Sequence, residues 1–302
     1  MNTNLKDDVA TVHCVAGDFE VHSAGAHVTR WKTPEFGEMI FVSAFSGFGV
    51  GVPVRGGIPV CFPWFGDPTQ WDDEVRLLGG QYAKFKHGFA REVNWRLVES
   101  AVNEGGGVVP TNPLPAWSAT YELTEEDVET QGYPGVAPFL AIYRIDFSAD
   151  ALDLTFAVVN TGEETFRFEA ALHTYFQVGD VSQVEILGLE GVEYVDNAAQ
   201  SALETQVGPL IFRGEVDNIY QSEGDVTIVD PARDVRTVIR TADSETTVVW
   251  NPGPSGASAM ADMGDEEWRE FVCVESANAR AGAVVLEPGQ THVMRANYRV
   301  GR

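Results

Sequence analysis

Leu140-Ala-Ile-Tyr-Arg-Ile-Asp-Phe147 and Leu152-Asp-Leu-Thr-Phe-Ala-Val-Val159 stand close together in the middle of the chain. Their β-branched and aromatic content and their period of two are the marks of half-buried strands. Asn160-Thr-Gly162, directly after the second, is a turn signal. Outward from this pair the same texture recurs. It runs back through Ser118-Ala-Thr-Tyr-Glu-Leu123, Asn94-Trp-Arg-Leu-Val-Glu99, Met39-Ile-Phe-Val-Ser43 and His27-Val-Thr-Arg-Trp31. It runs forward through Thr165-Phe-Arg-Phe-Glu169, Gln183-Val-Glu-Ile-Leu187, Asp225-Val-Thr-Ile-Val229, Val235-Arg-Thr-Val-Ile-Arg240, Thr246-Thr-Val-Val-Trp250 and His292 to Val300. Helical signals are few, and Asp265-Glu-Glu-Trp-Arg-Glu-Phe271 is the stretch that reads as a short helix with an acidic first turn. Strands this numerous predict an all-β fold, a large antiparallel β-sandwich with few short helices. Residues 1–12 read as a flexible or edge-pairing tail and 13–302 as a single domain.

The composition narrows the partners. A formal net charge of −25 over 302 residues argues against nucleic acid and anionic membranes, which need a basic surface. No run reaches the ~20 apolar residues of a membrane helix, and the first residues lack the basic and apolar regions of a signal peptide. Cys14, Cys61 and Cys273 are sparse and show no metal-type spacing, which predicts a reducing cytoplasm and no structural metal.

One irregular stretch interrupts the strands. Residues 44–92 are rich in Gly, Pro and aromatics, and a loop this long in a compact domain usually carries function. Within it stand Arg55-Gly-Gly-Ile-Pro-Val-Cys-Phe-Pro-Trp-Phe-Gly66 and His87-Gly-Phe-Ala-Arg91. Gly56-Gly57 frees the backbone for conformations closed to other residues, whereas Pro59 and Pro63 stiffen it. The chain has only four lysines, and Lys84 and Lys86 flank the histidine. With Arg55 and Arg91 they form a local positive focus on a strongly negative chain, which an acidic protein needs in order to hold an anion. This reads as one wall of a pocket for a polar, anionic small molecule.

Four further segments concentrate unusual polar residues. His173 lies among apolar and aromatic neighbours in Ala171-Leu-His-Thr-Tyr-Phe176, as a core histidine or as a catalyst. Glu275 closes the apolar run of Phe271-Val-Cys-Val-Glu275; it either faces a pocket, pairs with a cation or ends a strand in water. Asp217, in Gly214-Glu-Val-Asp-Asn-Ile-Tyr220, reads as a loop residue, either an ordinary turn aspartate or a site carboxylate. Trp250, in Trp-Asn-Pro-Gly253, either packs in the core or stacks on a sugar ring. No P-loop, G-x-G-x-x-G, H-E-x-x-H or G-x-S-x-G pattern is present.

Together these segments resemble the aldose 1-epimerase (mutarotase) superfamily, and within it the hexose-6-phosphate mutarotases. The matching text is R-G-G-I-P-V-C-F-P-W-F-G at 55–66, H-G-F-A-R at 87–91, L-H-T-Y-F at 172–176, G-E-V-D-N-I-Y at 214–220, V-W-N-P-G at 249–253 and F-V-C-V-E-S-A-N at 271–278. The resemblance spans residues from about 20 to 300 in the family's order, and its first two motifs mark the phosphosugar branch. It implies a galactose mutarotase-like supersandwich. It also implies Glu275 as general base and His173 as general acid, with Arg55, Lys86, His87, Arg91 and Asp217 on the substrate. Relatives can carry an uncharged residue such as glutamine where this chain has Lys86, so that side chain either adds a point charge at the phosphate or swings into solvent. The implied reaction interconverts sugar anomers and needs neither metal nor cofactor. The implied enzyme is a cytoplasmic monomer whose partner is a sugar phosphate. The alternatives are the same chemistry on unphosphorylated sugars and a carbohydrate-binding sandwich without turnover.

Overall fold

The computed structural model describes residues 2–6, 8–67, 77–82, 86–102, 115–199 and 202–302; Lys84 lies outside them. The two runs at the centre of the sequence form the strands Phe139–Phe147 and Ala151–Asn160, paired antiparallel with Leu154 opposite Ile145. Among the described residues they sit inside a nine-stranded antiparallel sheet. Its order is Leu210–Ile211, Glu185–Leu187, Val226–Asp230, Val235–Ala242, Thr291–Gly301, Ala151–Asn160, Phe139–Phe147, Trp117–Thr124 and Arg96–Val102. Phe139, Ala141, Tyr143, Ile145 and Phe147 alternate as buried residues with half-buried neighbours. One face is therefore core, as the period of two predicts.

The opposing sheet contains eight strands among the described residues. Ala202–Thr205, Glu193–Asp196, Val216–Gln221, Thr246–Asn251, Phe271–Asn278, Ala170–Leu172 and Val60–Cys61 follow in order, and Tyr175–Gln177 also pairs with Phe271–Asn278. The facing sides of the two sheets merge into one hydrophobic cluster. Phe62 packs there against Phe139, Phe156 and Phe168 at ring separations of 5.5–5.6 Å. Each such ring, fully buried, contributes about 1.5–3 kcal/mol of transfer free energy. A five-stranded sheet, Asn2–Lys6, Val9–Cys14, Gly17–His22, His27–Thr33 and Gly37–Glu38, extends the structure. Phe19 stacks at 4.7 Å on Phe147, which also stacks at 5.0 Å on Trp117.

Helices are short. Glu125–Thr130 opens on a capping box in which Thr124 and Asp127 each take the other's backbone N–H. Gly253–Ser258 grows out of the Trp-Asn-Pro-Gly turn. The helix predicted at 265–271 shrinks to a 3-10 turn at Glu267–Glu270, because the chain must be extended by Phe271 to enter the central strand. The structure also corrects two local readings. Asp217 lies within the strand Val216–Gln221 rather than in a loop, and Glu275 lies inside Phe271–Asn278 rather than at a strand end in water.

Candidate active site

Sheet register alone assembles the floor of the site. On the face of the eight-stranded sheet turned away from the shared core, Asp217 pairs with Trp250, Trp250 with Cys273, and Cys273 with Tyr175. The adjacent row runs Ile219, Val248 and Glu275. Leu172 faces Ser276 and Tyr175 faces Cys273, so the register is unbroken across the gap and sets His173 opposite Glu275. Side chains two apart share a face. Hence Asp217, Trp250, Tyr175, Glu275 and His173 rise from one platform, while Thr174 points the other way and meets Tyr298 in the core at 2.7 Å. His173 donates its N–H to Pro59 O at 3.0 Å, continuing the pairing of Ala170–Leu172 with Val60–Cys61, which ties the platform to the irregular segment.

That segment forms the wall. Its two motifs clasp each other: His87 N–H donates to Gly66 O at 3.1 Å, and Gly66 N–H donates to His87 Nδ1 at 3.3 Å. A ring nitrogen that accepts carries no proton, so neutral His87 presents its proton at Nε2. His87 and Gly88 both have φ near +70°. A Cβ on Gly88 would stand 2.1 Å from Phe62 O, so only glycine fits there. On the other side, Arg55 is held by Asp262 through Nε at 3.3 Å and Nη2 at 3.2 Å, and its Nη1 donates to Tyr175 OH at 3.3 Å.

All seven residues that the sequence predicts, Arg55, Lys86, His87, Arg91, His173, Asp217 and Glu275, line one cavity of about 590 Å³. Sequence reading missed others that line it, among them Tyr175, Asn197, Asp262's neighbour Met260 and Arg280. Tyr175 stands within the motif at 172–176 but was not singled out there, and Asn197 lies in no motif. Arg280 lies two residues past the last motif, in plain Ala279-Arg-Ala-Gly282 text. Among the described residues no group of three His, Cys, Asp or Glu is placed to hold a metal ion.

His173 Nε2 lies 3.3 Å from Glu275 Oε1. Glu275 is 1% exposed and His173 8%. The imidazole stacks on Tyr175 at 4.9 Å, with His87 5.6 Å away edge-on. Burial raises the Glu275 carboxyl well above its ordinary range, and the nearby Asp217 adds to the rise. Burial pushes His173 down, and the positive charges of Arg91 and Arg55 push it further. Burial likewise holds His87 well below the ordinary imidazole value, with Arg91 adding to the shift. Asp217 is raised by burial although Asn197 Nδ2 donates to it at 3.2 Å. Glu275 and His173, shifted in opposite directions, thus stand within proton-transfer reach of each other in a dry setting. Glu275 Oε2 and His173 Nδ1 are buried and have no hydrogen-bond partner among the described residues.

The model of the family described as Aldose 1-epimerase matches residues 15–299. The chain belongs to the aldose 1-epimerase family. A relative from Cenchrus ciliaris, provisionally named glucose-6-phosphate 1-epimerase, is 32% identical over 90% of this chain and 78% of its own length. An Escherichia coli K12 relative with the same provisional name is 32% identical over 89% of this chain and 82% of its own. Among solved structures, a provisionally named mutarotase from Salmonella typhimurium superposes with a TM-score of 0.83 at 24% identity, covering 99% of this chain and 93% of its own. That likeness shows the mutarotase-like fold that the resemblance implies, and it agrees with the antiparallel sandwich read from the strands.

Proposed function

We propose that this chain is an isomerase that interconverts the α and β anomers of hexose 6-phosphates by acid–base ring opening and reclosure. The observation that carries the reading is the buried His173–Glu275 pair, 3.3 Å apart on the floor of a cavity also lined by Arg55 and Arg91. The provisional names of the two 32% identical relatives supply the substrate class.

In this reading Glu275 takes the proton of the C1 hydroxyl while His173 protonates the ring oxygen. The ring opens to the aldehyde, rotation about C1–C2 exposes the other carbonyl face, and closure returns both protons. Each positioned transfer is worth about 10²–10⁴ in rate. Asp217 accepts from sugar hydroxyls, and His87 offers Nε2–H near the ring oxygen. Arg55 and Arg91 hold the phosphate through forked, charge-assisted hydrogen bonds, and Lys86 adds a point charge at the cavity mouth. The phosphate also has an electrostatic role. Its negative charge offsets the guanidiniums that push His173 down, so the bound substrate favours the proton on His173 and leaves Glu275 as the base. The same reading makes the chain a cytoplasmic monomer; Cys14, Cys61 and Cys273 are all free thiols, which suits a reducing compartment.

The test is the anomerisation of fresh α-glucose 6-phosphate, reported by a dehydrogenase that consumes only the β anomer, with free α-glucose run in parallel. Acceleration of the phosphorylated sugar is the expected result. Acceleration of free glucose alone overturns the substrate assignment, and binding without acceleration of either sugar overturns the enzymatic one.

A further inference from the structure

Three arginines line the cavity among the described residues, and they differ in what they already hold. Arg55 is bound to Asp262 and Tyr175. Arg91 donates from Nη2 to Lys86 O at 2.8 Å and lies 3.8 Å from Glu92. Arg280 makes no side-chain hydrogen bond or ion pair among the described residues, and its Nη1 is buried without a partner. A guanidinium carries five N–H donors and no acceptor. Leaving buried donors of a charged group unsatisfied incurs their full desolvation cost, so the arrangement calls for an incoming oxygen.

The backbone is held in place to present this side chain. Arg280 has φ +58°, a region few non-glycine residues occupy. What holds it there is Glu169, 1% exposed, whose Oε1 accepts Arg280 N–H at 2.6 Å. The other oxygen of Glu169 accepts Phe65 N–H at 3.0 Å. One buried carboxylate thus fixes two residues that line the cavity. Gly66 completes the seat, since a Cβ there would stand 2.9 Å from Arg280 Nη2. Strained backbone that presents an uncommitted cation to a cavity is a feature of ligand sites. The cation also acts on Asp217 together with Lys86, against the opposing carboxylate of Asp196, so two cations face this end of the cavity. A fork of donors in such a field matches an anionic oxygen better than a hydroxyl.

We propose that Arg280 is a further substrate-contacting residue whose guanidinium takes phosphate oxygens of the bound sugar phosphate, with Glu169 as the positioning residue that holds it there. The proposal rests on the hexose 6-phosphate reading. It makes Arg280 a determinant of phosphorylated over free sugars, beside Arg55 and Arg91.

The test compares Arg280→Gln, Arg280→Lys and Glu169→Gln with the wild type in the anomerisation assay and in calorimetric titration with inorganic phosphate. With Arg280→Gln, kcat/KM for glucose 6-phosphate falls at least about tenfold further than for free glucose, and phosphate affinity falls in step. Arg280→Lys recovers part of the loss, since it keeps the charge but not the fork. Glu169→Gln can accept only one of its two N–H bonds. It shifts the same ratio in the same direction, and combining it with Arg280→Gln adds little, as expected for one unit. Equal losses on both sugars would assign Arg280 to hydroxyls and overturn the proposal, as would unchanged phosphate affinity in a folded Arg280→Gln. Should wild type leave glucose 6-phosphate untouched, the reaction assignment fails, while the phosphate titration still decides Arg280.

Discussion

The nine-stranded and eight-stranded sheets share one core and differ in what covers their other faces. Along Phe139–Phe147 buried and half-buried residues alternate strictly, so one face is in contact with water. Along Phe271–Asn278 every residue is buried, because the shared core covers one face and the wall of residues 54–67 and 86–91 shelters the other. On the first kind of strand Arg144 and Asp146 pair with each other on the half-buried face. A carboxylate on the second kind is removed from water and its pKa rises, as that of Glu275 does. The difference teaches that chemistry is placed where a sheet is covered twice, and stability is built where it is covered once.

The largest expected effect tests the chemical side. Glu275→Gln should lower kcat by about 10²–10⁴ while sugar phosphate still binds. The thermal midpoint should hold or rise, because the variant removes a buried ionisable group whose Oε2 has no partner among the described residues. A midpoint several degrees lower would show that Glu275 is part of what holds the sheet, and would break the comparison.

Phe147→Ala tests the other side. Its ring stacks on Phe19 and Trp117 away from the cavity, so denaturant unfolding should report a loss of about 3–5 kcal/mol. The folded fraction should keep the wild-type kcat. A kcat that drops with stability would mean the two sheets are not separable in function.

Acid sharpens the contrast further. Burial holds His27, under Gly56 O, down at about 3, and it also lowers His87, His173 and His292. The unfolded chain protonates these rings near pH 6.5 and the folded one does not, so the unfolded state binds more protons below that pH. Stability therefore falls as pH falls from about 6.5, at about 1.4 kcal/mol per pH unit for His27 alone. Glu275, Asp217 and Glu92 are raised and act in the opposite sense, but Glu275 offsets only one of the four rings in the upper part of the window. Thermal midpoints between pH 7 and 5 should decline, and a rise on acidification would overturn the assignment of neutral buried histidines. In the rate profile, the acid limb of kcat/KM should lie above the ordinary carboxylate value, because a raised Glu275 becomes a base only at higher pH.

The smallest effect lies at the end of a strand, where Trp117–Thr124 runs into a helix. Thr124→Ala removes half of the capping box at Glu125–Thr130 and should cost about 1 kcal/mol in denaturant unfolding, with unchanged kinetics.

The strands of the nine-stranded sheet were legible because a half-wet strand writes its period of two into the sequence. Phe271–Asn278 shows no such period, since both faces are dry, and Glu275 there read equally well as a strand end. Asp217 read as a turn because aspartate and asparagine favour turns, yet strand pairing with Trp250 overrides that local preference. His173, His87 and the arginines stood in motifs whose joint resemblance pointed to one pocket. Arg280 and Glu169 were invisible for a physical reason. Their part depends on a positive φ and on contacts between residues 111 positions apart, which no local pattern encodes. Strands as short as Leu210–Ile211 were missed because two residues carry no period.

The unbroken register between Ala170–Leu172 and Tyr175–Gln177 has a consequence for how this site can vary. The gap between His173 and Glu275 is a lattice spacing of the sheet, so loop lengths elsewhere can drift without changing it. An insertion or deletion of one residue between Phe271 and Glu275, by contrast, turns the carboxylate toward the core and carries a valine to the cavity. The reaction is therefore tolerant of change along most of the chain and intolerant of a single-residue slip in one strand.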